Sequence, residues 1–213
     1  EKTLNILKIH ALAIVDRLEY FGDHHTSNHL ANNGRGLYLL GLALGLKQTT
    51  NIGGRILIEE AKRIFHSSGI LREGSSHYHL LLARNFKEVA DAAKKYNRKE
   101  ETSLKSVANK ARRAAKHLIL PGGFPLIGDI SPDLAPDLLL KTMRLIKPKY
   151  QPSTRELKIF QEAGWYRKDY GPFSTLWHAA PEGWSQMPGH GHQDTGSFEL
   201  HYNDEPIFVD PGR

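Results

Sequence analysis

Two histidines and an aspartate stand at alternate positions, His190, His192 and Asp194, in the stretch MPGHGHQDTGSFELHYNDEPIFVDPG that covers residues 187–212. On an extended segment, side chains two positions apart share one face, so His190 and His192 form the kind of imidazole pair that holds a divalent ion. Asp210, at the end of the alternating run that follows, adds a hard carboxylate donor. The chain has no cysteine, which excludes a disulfide framework and thiolate metal sites and leaves histidine and carboxylates as ligands. Taken alone, H-x-H also arises by chance among surface histidines. As a site it has a second reading, in which His190, His192 and Asp194 are the ligands of a metal-dependent hydrolase.

Two further clusters carry reactive residue types. GDHHTSNHLANNG gathers His24, His25, Asn28, His29, Asn32 and Asn33 at the start of an apolar helix. Most such residues cap loops or sit on solvated faces, but Asn28 and His29 lie at the mouth of the buried segment. LREGSSHYHLL places Glu73, Ser75, Ser76, His77, Tyr78 and His79 just ahead of another helix. A capping box needs Ser with Glu three positions later; here Glu73 comes first, so capping alone does not account for the cluster.

The elements that must position these clusters change character near the middle of the chain. Up to about residue 147 the apolar spacing is helical. TLNILKIHALAIVDRLEYF sets Leu4, Leu7, Ala11, Ile14, Val15 and Leu18 on one stripe. NHLANNGRGLYLLGLALGL is apolar on most sides in its second half, with Gly36, Gly41 and Gly45 allowing close helix approach. GGRILIEEAKRIFHSSG is amphipathic and meets a glycine cap at Gly69. YHLLLARNFKEVADAAKKY and SLKSVANKARRAAKHLI read as an antiparallel pair joined by polar NRKEET, and SPDLAPDLLLKTMRLI as a short helix with proline near its start. After KPKYQPS come short runs rich in aromatic and β-branched residues: KIFQEAGWYRKD, PFSTLWHAA, GSFELHY and PIFVD, with Asn203-Asp204 marking a hairpin turn. Helices first and strands second predict an α+β, multidomain chain, helical over 1–150 and an antiparallel sheet over 151–213.

Composition narrows the function classes. At 213 residues the chain can bury a core without staples. No stretch offers the ~18 apolar residues of a spanning helix, so no membrane role is expected. The formal charge of +6 is spread along the sequence, a tilt towards acidic partners rather than a nucleic-acid block. The sequence has no initiator Met and ends at Pro211-Gly212-Arg213 directly after an expected strand, which reads as a fragment.

Taken in order, Asn28-His29 opening a glycine-containing apolar helix, E-x-S-x-x-Y-H at Glu73, Ser75, Tyr78 and His79, PLIGD at Pro125 to Asp129, and GHGHQDTGSFEL…FVDPG resemble the heparinase II/III-like polysaccharide lyases, a broad group that includes some alginate lyases. The last motif is the most specific, and the resemblance runs along nearly the whole chain. It implies an incomplete (α/α) toroid followed by the start of an antiparallel β-sandwich, with the active site in the cleft between them. It also implies the reaction, β-elimination on a uronic-acid-containing polysaccharide, and a bacterial periplasmic setting.

That reaction requires a neutralised carboxylate, removal of the weakly acidic C5 proton and protonation of the leaving glycosidic oxygen. By the family pattern, Asn28 bonds the uronate carboxyl group and Tyr78 gives its proton to the leaving oxygen. Tyr78 is also an alternative base, if positive charge or donors lower a phenol pKa that is ordinarily ~10. His29 and His190 are the other bases or carboxylate-neutralising groups. The resemblance makes His192 and Asp210 ligands of a zinc ion, mainly structural, whose remaining ligand the sequence does not identify. His190 then faces substrate, a split that needs an irregular backbone at Gly189 and Gly191. A glycan-binding homologue without turnover is a further alternative. Nothing in the sequence marks which acidic polysaccharide is the partner.

Overall fold

The periodicities produce the elements they announce, in a computed structural model that describes residues 1–23, 25–131, 133–145, 154–179 and 196–211. Among these, the order is α1 (Lys2–Asp16), α2 (His29–Leu44), α3 (Lys47–Ile64), α4 (Ser76–Lys95), α5 (Glu101–Leu118), α6 (Pro136–Thr142) and α7 (Thr154–Gln161), then β1 (Trp165–Tyr170), β2 (Phe173–His178), β3 (Ser197–Tyr202) and β4 (Glu205–Phe208). The chain is therefore α+β with segregated helices and strands. No described helix is long and apolar enough to cross a membrane.

Residues Glu1–Ile64 and Asn85–Ala108 form one compact unit. Its centre is the α2·α3 pair, which glycines allow to approach closely. A Cβ on Gly53 would stand 2.5 Å from the Tyr38 amide nitrogen, and one on Gly41 would stand 2.5 Å from Thr50 Oγ1. Gly41 was expected in this role; Gly34 and Gly53 share it. Gly36 meets only Ile14 at an ordinary 3.8 Å, and Gly45 instead ends α2 in the left-handed conformation, φ 69°. The Tyr38 hydroxyl donates to the buried Glu100 carboxylate at 3.3 Å. Burial, with Glu100 beside it, pushes the Tyr38 phenol up to about 12.

Residues Phe65–Arg84 and Asn109–Arg213 form the second unit. Here β1-β2-β3-β4 make an antiparallel meander. The expected turn at Asn203-Asp204 joins β3 to β4, with Asn203 at φ 50°, a conformation asparagine tolerates better than most residues. One expectation fails in detail. KIFQEAG does not begin the first strand; Thr154–Gln161 is helical, Gly164 turns the chain at φ 77°, and the strand starts at Trp165. The spacing of Leu157 and Phe160, one helical turn, outweighs the β-branched and aromatic content of so short a run.

The sheet lies against its unit's helical segments through Ile70, Leu118, Leu120, Ile127, Phe160, Trp165 and Leu176, among other buried residues. His117 stacks on Phe160, ring centroids 3.9 Å apart. The inner face is nevertheless polar in part: Arg167, Ser174, Glu199 and His201 are buried on it. The outer face carries exposed aromatics, including the cross-strand pairs Phe173–Tyr202 and Trp177–Phe198, with centroids 5.1 and 5.6 Å apart.

Candidate functional site

Asn28 occupies the N-cap position of α2 but does not cap it. Its backbone is already helical, φ −63°, ψ −9°, and its side chain makes no capping bond. The side chain is instead buried, 1% exposed, and enters an amide chain. Asn32 Nδ2 donates to Asn28 Oδ1 at 3.1 Å, and Asn85 Nδ2 donates to Asn32 Oδ1 at 3.0 Å. Because Oδ1 of Asn28 is the accepting end, Nδ2 is its donor end, the polarity needed to bind a carboxylate. The loop leading into Asn28 is held by Arg63, which donates to the carbonyls of Thr26 and Ser27 at 2.5 and 3.2 Å and pairs with Glu60.

His29, the first residue of α2, is half exposed, and its Nδ1 lies 2.9 Å from Glu19 Oε1. The second carboxylate oxygen of Glu19 accepts from Asn33 Nδ2 at 3.1 Å, and Asn33 Oδ1 accepts from the Glu19 amide at 2.9 Å. A carboxylate accepting from Nδ1–H fixes the neutral ring in the tautomer whose Nε2 takes a proton, the arrangement that orients general bases. Glu19 was not singled out in the sequence, being ten positions away and on the far side of a turn. A signal existed: a lone acidic residue just beyond the apolar stripe of α1.

In the second unit, Tyr78 sits in the first turn of α4, partly buried, with its amide donating to Ser75 Oγ at 2.9 Å. Ser75, not Glu73, thus caps the helix, and the serines also bind a loop. Ser75 Oγ donates to the Asp129 carbonyl at 2.6 Å, and Ser76 Oγ to the Pro125 carbonyl at 2.7 Å. The Ser76 amide donates to the Ile127 carbonyl at 3.0 Å, and the Ile127 amide returns a bond to Ser76 Oγ at 3.1 Å. PLIGD is therefore a strap across the start of α4. Gly128, at φ 83°, lies where a Cβ would stand 2.6 Å from the Gly74 carbonyl oxygen, which accounts for glycine at that position.

The two histidines flanking Tyr78 are structural. His79 is fully buried; its Nδ1 accepts from the Leu71 amide at 3.1 Å and its Nε2 donates to the Ala111 carbonyl at 3.0 Å. Burial lowers its pKa to about 4, against the weaker opposing pull of the Ala111 carbonyl. His77 donates through Nε2 to the Leu134 carbonyl at 2.8 Å and accepts at Nδ1 from the Ser131 amide at 3.0 Å, and burial lowers its pKa too. Both rings are neutral near pH 7, so neither supplies positive charge to the Tyr78 phenol.

Of the third cluster, His190, His192 and Asp194 lie outside the described residues, as do Gly189, Gly191 and, from the first cluster, His24. Asp210 follows β4, partly buried, with its Oδ2 accepting from the Ser197 hydroxyl. Among the described residues, no group of three or more His, Cys, Asp or Glu side chains is placed to hold a metal. The strand carrying the rest of the motif contributes a buried pair. Glu199 Oε1 accepts from the Leu126 amide at 3.0 Å, and its Oε2 lies 3.3 Å from His201 Nε2. His201 Nδ1 accepts from the Gly122 amide at 3.0 Å.

With the fold in hand, its class can be stated: over nearly all its length the chain has the fold of solved heparinase and heparan sulfate lyase structures. The heparan sulfate lyase HepC from Pedobacter heparinus matches 99% of the chain with a TM-score of 0.69 at 19% identity. A heparinase III structure matches 95% with a TM-score of 0.65, also at 19% identity. The chain spans 36% of the length of each. Residues 152–213 match the family model described as Heparinase II/III-like, C-terminal. No curated protein sequence matches the chain significantly.

Proposed function

We propose that the chain is part of a polysaccharide lyase that cleaves a uronic-acid-containing acidic polysaccharide by β-elimination. The observation that carries this reading is the family match over 152–213, which contains the whole H-x-H…D-P-G motif. Heparan sulfate, the substrate in the name of the Pedobacter heparinus enzyme, is the first substrate class to test. In fold terms, the reading makes the helices part of an (α/α) toroid and the meander the start of a β-sandwich.

The chemistry follows from the side chains. Asn28 donates from Nδ2 to the uronate carboxyl group, and its bond strengthens as C5 loses its proton and charge moves onto those oxygens. Tyr78 protonates the leaving glycosidic oxygen. The neutral rings of His77 and His79 favour this acid role over a phenolate base, which would need a nearby cation. His29, with Nδ1 engaged by Glu19, offers Nε2 as the proton acceptor at C5. His190 is the other base or carboxylate-neutralising group. A zinc ion held by His192 and Asp210 would hold the strand ends together; the donor types suit zinc, and the proton transfers belong to the side chains just named.

The test is an absorbance screen of the protein against heparan sulfate, alginate and other uronic-acid polysaccharides. Elimination leaves a C4–C5 double bond that absorbs in the near ultraviolet. New reducing ends without that absorbance would show hydrolysis and defeat the proposal.

A further inference from the structure

We infer that Glu199, on β3, is a positioning residue for Tyr78, acting through the loop 122–129. The inference rests on the lyase reading for the role of Tyr78, while the relay itself is a matter of hydrogen bonds. Glu199 is 5% exposed and faces the interior opposite Leu176. A carboxylate there is costly unless its oxygens find donors. It finds the Leu126 amide and His201 Nε2, and His201 in turn receives the Gly122 amide. The pair thus grips the loop at two points and, with Arg167 bonding the His117 and Ile119 carbonyls, seats the 117–126 segment on the sheet.

From Leu126 the connection to Tyr78 is continuous. The residues on either side of Leu126 bond to Ser76, Asp129 bonds to Ser75, and Ser75 Oγ receives the Tyr78 amide. The close approach of Gly128 to Gly74 and Ser75, where a Cβ would stand 2.6 Å from the Gly74 carbonyl oxygen, packs the loop directly on the start of α4. A loop loosened at Leu126 therefore loosens the turn that aims the phenol. A misplacement of ~1 Å at a reacting group costs roughly a hundredfold in rate.

Three full-chain variants, assayed on heparan sulfate with hydrogen exchange in parallel, test the inference. Glu199→Ala should lower kcat about tenfold or more with KM within about twofold, because aim is lost and uniform binding is not. Glu199→Gln, which keeps an acceptor for the Leu126 amide but turns an N–H donor towards the His201 Nε2–H, should recover part of that loss. Glu199→Ala should also speed amide exchange across 76–79, and Glu199→Gln should do so less. Should Glu199→Ala fail to fold, Ser75→Ala carries the same expected split between kcat and KM. A lower melting temperature with unchanged kcat and unchanged exchange at 76–79 overturns the inference, leaving Glu199 a packing residue. The lyase reading fails separately, if Tyr78→Phe turns over normally or no substrate is cleaved; the exchange data then still decide whether Glu199 holds the start of α4.

Discussion

His79 should make the protein lose stability on mild acidification, by an amount the structure allows to be worked out. The ring is fully buried, accepts at Nδ1 and donates at Nε2, so a second proton would remove the bond from Leu71 and charge a dry site. Its folded pKa is about 4, against 6.5 for the free side chain. The unfolded chain therefore binds the extra proton first as pH falls. His79 costs nothing above about pH 6.5, destabilises progressively from there towards pH 4, and costs about 3 kcal/mol below that. The assay is urea unfolding at pH 7, 5.5 and 4.5 on the parent and on His79→Gln. Glutamine can accept from Leu71 and donate to Ala111 but does not titrate. It forfeits the edge-to-face contact with Phe65, an offset independent of pH. Carboxylates common to both proteins cancel in the comparison. The parent should lose on the order of 2 kcal/mol more than the variant between pH 7 and pH 4.5. Parallel stability curves would show that His79 is not held neutral by the fold, and the argument against a cation beside Tyr78 would go with it.

The other expectations concern the site. Asn28→Ala should lower kcat and kcat/KM together by roughly a hundredfold, since its bond strengthens in the transition state, whereas an effect on KM alone would make it an ordinary binding residue. Glu19→Gln should reduce kcat about tenfold with KM little changed, because His29 loses the carboxylate that fixes its tautomer and orientation; an unchanged kcat removes the Glu19–His29 pair from the reaction. His192→Ala and Asp210→Ala should lose bound zinc and melt earlier, while His190→Ala keeps both metal and stability but not turnover; loss of metal by His190→Ala as well would make the two histidines joint ligands and favour the hydrolase reading.

What could be read from the sequence was whatever period and punctuation encode. The helix at α1 and the Asn203 turn follow from local rules, and the structure has them, whereas Gly45, read as a close-approach glycine, ends α2 instead, and Leu4 of the α1 stripe is exposed. The facing of β3 does not follow. Its alternation sets Phe198, Leu200 and Tyr202 against Ser197, Glu199 and His201, and hydropathy alone would turn the aromatic set inward. The structure buries Glu199 and His201 and exposes Phe198 and Tyr202, because backbone amides of the 122–126 loop lie against that inner face and need acceptors. Period two states that a strand has two faces, not which partner each will meet. The site divides in the same way. Asn28, His29 and Tyr78 stood out by type and position, but Glu19 and the strap over Ser75 and Ser76 are contacts between distant segments, invisible to spacing.

The central claim is that elimination occurs and that Tyr78 delivers the proton to the leaving oxygen. The most direct measurement is the near-ultraviolet absorbance of product formed from heparan sulfate by the protein and by Tyr78→Phe, alongside their melting curves. A steady rise is expected for the parent and almost none for Tyr78→Phe, with the two melting together because only a hydroxyl is lost. Turnover by Tyr78→Phe near the parent rate, or chain cleavage without any rise in absorbance, would contradict it.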